Sequence, residues 1–136
     1  ERNRKPSEII TIGYIGRKEP YKGVDLLIDS LTKLHQENIN FECLLYGDDF
    51  SKYDSLLNGK VKNMGTYKNS DIKLVFDSMD LLVLPSIWKE TFGFVVLEAL
   101  SYDVPVIVSE NVGAKDLIND KEYIFNIEDW AISDIV

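Results

Sequence analysis

Residues 89–100, KETFGFVVLEAL, are almost wholly apolar, yet Glu90 stands at one end and Glu98 lies within. The stretch 91–103 reads as a helix, which puts Glu90 just before its first turn and Glu98 almost two turns inside. A helix N-terminus exposes unpaired N–H groups and a partial positive charge, so it can hold an anion. Gly93 lets a ligand come close to the backbone. Glu90 can accept hydrogen bonds from ligand hydroxyls, or simply complement the helix dipole. A buried carboxylate without partners is costly. Glu98 must therefore either face water at a rim or find hydroxyl partners.

A second stretch, GRKEPYKG at 16–23, places Arg17 and Lys22 five residues apart. A loop folded back between them brings both cations to one anion, Arg as a planar fork and Lys as a point charge. The alternative is a pair of solvated loop residues. The spacing is not that of a P-loop. Asp48 and Asp49 in GDD read as a turn, since Gly and Asp suit turns, although paired aspartates can also hold a divalent metal. His35, the single histidine, falls late in a helix where a cation suits the dipole. No Cys/His cluster suggests zinc, and no Gly-x-Ser-x-Gly or Ser/His/Asp arrangement is visible.

The 136 residues suffice for one domain with one core, and 45% hydrophobic with 28% charged residues is an ordinary soluble composition. No apolar run is long enough to span a bilayer, and no signal pattern opens the chain. Cys43 is the single cysteine, so no intrachain disulfide can form. A net charge of −8 argues against a general nucleic-acid binder. A small anionic ligand sees only the local field and is not excluded.

The elements that must hold these groups alternate along the chain. After a polar lead-in at 1–8, continuously apolar runs predict strands at 9–16, 41–47, 61–65, 80–85, 105–109 and in YIFN at 123–126. Helical spacing predicts helices at 23–37, 70–79 with Ser70 as N-cap, and 91–103. Shorter helices are expected at 51–58, 113–119 and from Glu128. Continuously apolar strands are covered on both faces. The expected fold is α/β: a Rossmann-like, doubly wound parallel sheet of about six strands with helices on both faces. Ligands bind such sheets at the carboxyl ends of the strands. The loops to inspect are then 16–23, 47–51, 65–70, 85–92 and 109–114.

Taken in order, these pieces resemble the C-terminal, nucleotide-sugar-binding domain of retaining glycosyltransferases of the GT-B fold, most closely glycosyltransferase family 4. The matching residues are Gly16-Arg17 with Lys22-Gly23-Val24-Asp25-Leu26-Leu27, then LLYG. DLLVLPS, Glu90-x-Phe92-Gly93-x4-Glu98-Ala99 and PVIVSENVGAKDLI follow. The resemblance covers roughly residues 9 to 130, and its specificity lies in several motifs occurring in order.

The resemblance implies that Arg17 and Lys22 hold the donor diphosphate and stabilise its departing charge. Backbone N–H groups at Gly93 and Phe94 assist, and Phe92 lies in the same donor-binding motif. It implies that Glu90 binds hydroxyls of the transferred sugar and Glu98 the ribose diol. Gly16 and the stretch from Gly65 to Tyr67 complete the donor site, the latter against the base. Arg17, Lys22 and Glu90 would then be catalytic, with no metal or other cofactor. The implied whole is a two-domain cytoplasmic enzyme, at most peripheral at the inner membrane face. Its N-terminal domain would bind an acceptor glycan or lipid-linked glycan, and residues 1–136 would be one donor-binding domain, inactive alone. Two departures stand out: Thr91 where Gly or Pro is frequent, and a single Gly113 before Ala114 where a Gly pair is frequent.

Two rival readings use the same residues. A nucleotide-sugar epimerase of related fold would bind the same ligands, but the Arg17/Lys22 and Glu90/Glu98 combination favours transfer. A non-catalytic nucleotide-binding module, or a receiver domain, is the other. A receiver needs an acceptor Asp at the end of its third strand, where this chain has Asn63-Met64-Gly65.

Overall fold

A computed structural model of the chain describes residues 9–17, 23–85, 94–109 and 124–125. Strands β1 (Ile10–Ile15), β2 (Phe41–Tyr46), β3 (Val61–Gly65), β4 (Leu81–Leu84), β5 (Val106–Ser109) and β6 (Ile124–Phe125) form one sheet in the order β3-β2-β1-β4-β5-β6. Every pairing is parallel. The expected doubly wound sheet is therefore present, five strands of four to six residues with a two-residue sixth. The order reverses between β1 and β4, so the crevice of such a fold opens where those two strands end.

Helix α1 (Val24–Gln36) follows the predicted spacing and buries Val24, Leu27, Leu31 and Leu34. These pack on one face of the sheet against Ile12, Tyr14, Cys43, Leu45 and Val83. Alternate strand residues point the other way, so Ile15, Leu44, Tyr46, Leu82 and Leu84 meet the opposite layer. That layer is built from α3 (Ile72–Asp77), through Val75 and Phe76, and α4 (Phe94–Ser101), through Val96 and Ala99. Phe76 stacks on Tyr102 just past α4, with ring centroids 5.4 Å apart. Both sheet faces are covered, as the continuously apolar strands require. The start of β4 is tied to β1 by a reciprocal pair: Thr11 N–H donates to the Asp80 carboxylate and Asp80 N–H to the Thr11 carbonyl, each at 2.8 Å.

Two local expectations fail. Residues 51–58 do not form a continuous helix. A 3-10 turn (Ser51–Tyr53) gives way to α2 (Leu56–Gly59), which is broken by positive φ at Leu57 and Asn58 and preceded by left-handed Ser55. None of the residues of α2 is buried, so packing does not enforce a helix here. Ser70 is not an N-cap either. A 3-10 turn (Asn69–Asp71) leads into α3, the cap position is Asp71, and no side chain caps the helix. The lead-in at 1–8, the helix expected at 113–119 and the one from Glu128 lie outside the described residues.

Candidate functional site

Because the strands run parallel, the segments after β1, β2, β3 and β4 emerge along one edge. Two backbone hydrogen bonds continue the ladder past the strand ends. Gly16 N–H donates to the Tyr46 carbonyl at 3.0 Å, and Gly47 N–H to the Gly65 carbonyl at 2.9 Å. Gly16, Gly47 and Gly65 thus stand side by side at the head of three loops. Gly47 has φ +106°, and a Cβ there would lie 2.5 Å from the Gly16 carbonyl oxygen. Its missing side chain is what lets the first two loops lie against each other.

Behind this edge sits a buried tyrosine that the sequence reading passed over. Tyr14 is 1% exposed, and its ring meets Phe50 edge-on with centroids 5.8 Å apart. Its hydroxyl donates to the Arg17 carbonyl at 2.7 Å. The predicted phosphate-binding Arg17 is itself exposed, on a backbone held from below. The signal was present in the sequence: a tyrosine in a buried strand must place its polar tip somewhere, and the nearest exit was three residues on.

At the other end of the edge, Tyr67 is half-buried and stands edge-on to Tyr46, ring centroids 6.0 Å apart. The Tyr46 and Ser78 hydroxyls share a hydrogen bond of 2.9 Å beneath it. The Tyr67 phenol is pushed up by burial first and then by the negative charge of Glu98. The fold thus sets Glu98 within electrostatic range of Tyr67, although the two are 31 residues apart in sequence. On α4, Glu98 is exposed while Val96 and Ala99 are buried. Glu98 therefore carries no burial cost in the chain by itself, and its carboxylate is open to water or to a ligand.

The β2–α2 segment is braced from β3. The Asn63 side-chain carbonyl accepts from Phe50 N–H at 3.0 Å and from Gly65 N–H at 3.1 Å. Asp48 and Asp49 act in the turn as expected: Asp48 accepts from Asp49 N–H at 2.7 Å and Asp49 from Ser51 N–H at 3.0 Å. Among the described residues, no three His, Cys, Asp or Glu side chains are grouped to hold a metal ion. His35 is half-buried near the C-terminus of α1, and its Nδ1 is buried without a hydrogen-bond partner.

Lys22, Glu90, Phe92 and Gly93 lie outside the described residues, as does the loop at 110–114. Phe94 opens α4. The entry to α1 is described at Gly23, whose φ of +84° is left-handed. A Cβ on Gly23 would run into the Pro85 carbonyl oxygen at the end of β4. The two segments that flank the strand-order reversal therefore touch backbone to backbone.

A doubly wound parallel sheet with helices on both faces and its loops along one carboxyl edge is a Rossmann-like α/β domain. The family is given by the sequence. Residues 1–132 match the glycosyl transferases group 1, and the chain belongs to that family. It is 34% identical over 113 residues to a probable glycogen synthase of Methanocaldococcus jannaschii, covering 79% of this chain and 22% of that protein. Among solved structures, it resembles Anabaena Alr3699/HepE in complex with UDP-glucose: 26% identity, TM-score 0.71, 88% of this chain and 35% of that one. A glycosyltransferase from Rickettsia africae is similar at 27% identity and TM-score 0.71, covering 89% of this chain and 34% of that chain. The chain thus spans about a fifth to a third of the length of these proteins.

Proposed function

We propose that the chain is the donor-binding domain of a retaining glycosyltransferase of family 4, binding a nucleotide-diphosphate sugar along the carboxyl edge of its sheet. The observation that carries this reading is the shared edge itself: Gly16-Arg17 after β1 and Gly65–Tyr67 at the end of β3, joined through the Gly16–Tyr46 and Gly47–Gly65 hydrogen bonds, with Glu98 within electrostatic range of Tyr67. Tyr67 offers a flat, half-buried ring for the base. Glu98, exposed beside it, can accept hydrogen bonds from a ribose diol. Arg17 and Lys22 take the diphosphate, and N–H groups at the start of α4 assist them. Glu90 takes the sugar hydroxyls. As the sugar–phosphate bond breaks, negative charge grows on the diphosphate, and fixed cations and N–H groups stabilise it without a metal. The similarity to a structure solved with UDP-glucose supports a nucleotide-sugar donor. The acceptor, a glycan or lipid-linked glycan, belongs to a second domain of a cytoplasmic enzyme.

An amide-resolved NMR titration with UDP, GDP, ADP and their sugar conjugates, without metal, tests the reading. One nucleotide should shift amides at 16–17, 65–67 and 94–98. Arg17→Ala should weaken it by about ten- to a hundredfold, the range for a lost charge-assisted hydrogen bond. Glu98→Ala should weaken it by about tenfold. If none of the three nucleotides perturbs those amides of the intact protein at millimolar concentration, the reading is wrong.

A further inference from the structure

We infer that Tyr14 is a positioning residue for the diphosphate, acting through the backbone of Arg17; the inference rests on the donor-binding reading above. Arg17 is the second residue beyond β1, exposed, and sits where the strand gives way to a loop. An arginine fork aligns two oxygens only when the backbone that carries it is fixed. Hydrogen bonds among the described residues help to fix it here. Gly16 N–H is held by the Tyr46 carbonyl at 3.0 Å, and the Arg17 carbonyl is held by the Tyr14 hydroxyl at 2.7 Å. The first extends the strand ladder by one residue. The second comes from below, from a side chain that is almost completely buried and cannot itself reach a ligand.

Tyr14 is braced in turn. Its ring is held edge-on by Phe50, whose N–H is anchored to Asn63 on β3. The hydroxyl also sets the room available at the loop: a Cβ at position 16 would lie 2.8 Å from the Tyr14 oxygen. The glycine at 16 and the tyrosine at 14 are therefore one device, in which a small residue makes space for a hydroxyl that grips the next peptide. A phenylalanine at 14 would fill the core equally well. The hydroxyl answers to the loop, not to packing.

The experiment is binding by the intact protein of the nucleoside diphosphate selected above, its monophosphate and its nucleoside, to the wild type, Tyr14→Phe, Arg17→Ala and the double variant. Tyr14→Phe keeps the buried ring and should leave the melting temperature close to that of the wild type. It should weaken the diphosphate about three- to tenfold, the scale of one hydrogen bond, and leave nucleoside affinity unchanged. In the Arg17→Ala background it should have no further effect, because the group it positions is gone. A merely structural role would lower affinity for all three ligands alike, and that result overturns the inference. So does an unchanged diphosphate affinity in Tyr14→Phe when Arg17→Ala weakens it. If Arg17→Ala itself leaves the diphosphate unaffected, the donor-binding assignment of Arg17 fails first, and this inference with it.

Discussion

At the scale of single residues, buried protons are held tightly. Tyr53 is buried beside α1 and donates its phenolic proton to the Asp25 carboxylate at 2.8 Å. Burial, and then that hydrogen bond and charge, push its phenol from 10.0 up to about 12. Cys43 is pushed from 9.0 up to about 12, mainly by burial and also by Glu42. Both groups keep a proton in the folded chain at a pH where the unfolded chain would release it. Their contribution to stability is whole below the ordinary pKa and is lost as pH climbs toward about 12. Melting temperature should therefore fall steeply between about pH 9 and pH 12. Tyr53→Phe should cost only about 1 kcal/mol at neutral pH, since the exposed Asp25 can be rehydrated. It should also flatten the upper part of the alkaline fall. An unchanged alkaline slope in thermal denaturation of this variant would count against the coupling. Nothing in the sequence paired Asp25 with Tyr53, 28 positions on, because a polar contact between two elements carries no local pattern.

Between elements, the junction of α1 with the end of β4 is the tightest constraint near the site. Gly23 is left-handed, and its missing Cβ is occupied by the Pro85 carbonyl. Gly65 is also left-handed, at φ +73°, but a Cβ there would meet nothing within 4 Å. The two glycines therefore separate backbone strain from collision. Gly65→Ala should cost about 1–2 kcal/mol, the penalty for a left-handed side-chain-bearing residue. Gly23→Ala adds the clash and should cost clearly more, with α1 shifted away from β4. Urea unfolding of both variants would decide it, and equal costs would mean that α1 and β4 are less closely joined than they look. The strands β1, β2, β4 and β5 were legible because burial on both faces leaves a continuous apolar run, and α1 because one face repeats at helical spacing. The break at Ser55, Leu57 and Asn58 was not legible. Three residues at positive φ are set by the pull of Ser55 N–H and Asp54 toward β3, not by their own propensities. At the candidate site, loop position singled out Arg17, an apolar helix singled out Glu98, and the family resemblance added Gly16, Gly65 and Tyr67. Tyr14 and Gly47 were missed, because one works from inside the core and the other by lacking a side chain.

For the whole molecule, the donor-binding proposal assigns the edge a base, a ribose and a diphosphate, which are all parts of one end of a sugar nucleotide. Transfer needs more: a second surface must carry the acceptor and exclude water, or the donor is merely bound or hydrolysed. The chain covers 22% of the probable glycogen synthase and 35% of the HepE chain, so the relatives devote most of their length to other surfaces. The overall charge of −8 also opposes an anionic donor, which leaves capture to the few cations and N–H groups at the edge. Residues 1–136 by themselves should therefore bind the nucleotide weakly, with a dissociation constant of about millimolar order, corresponding to roughly 4 kcal/mol of binding free energy. They should form no detectable glycoside from a sugar nucleotide and a glycan acceptor. Chromatographic product analysis beside the NMR titration reads both quantities on one sample. Transfer at the rate of a full-length relative would show that this edge carries the acceptor as well, and would move the catalytic assignment of Glu90 from donor positioning to a site complete within these residues.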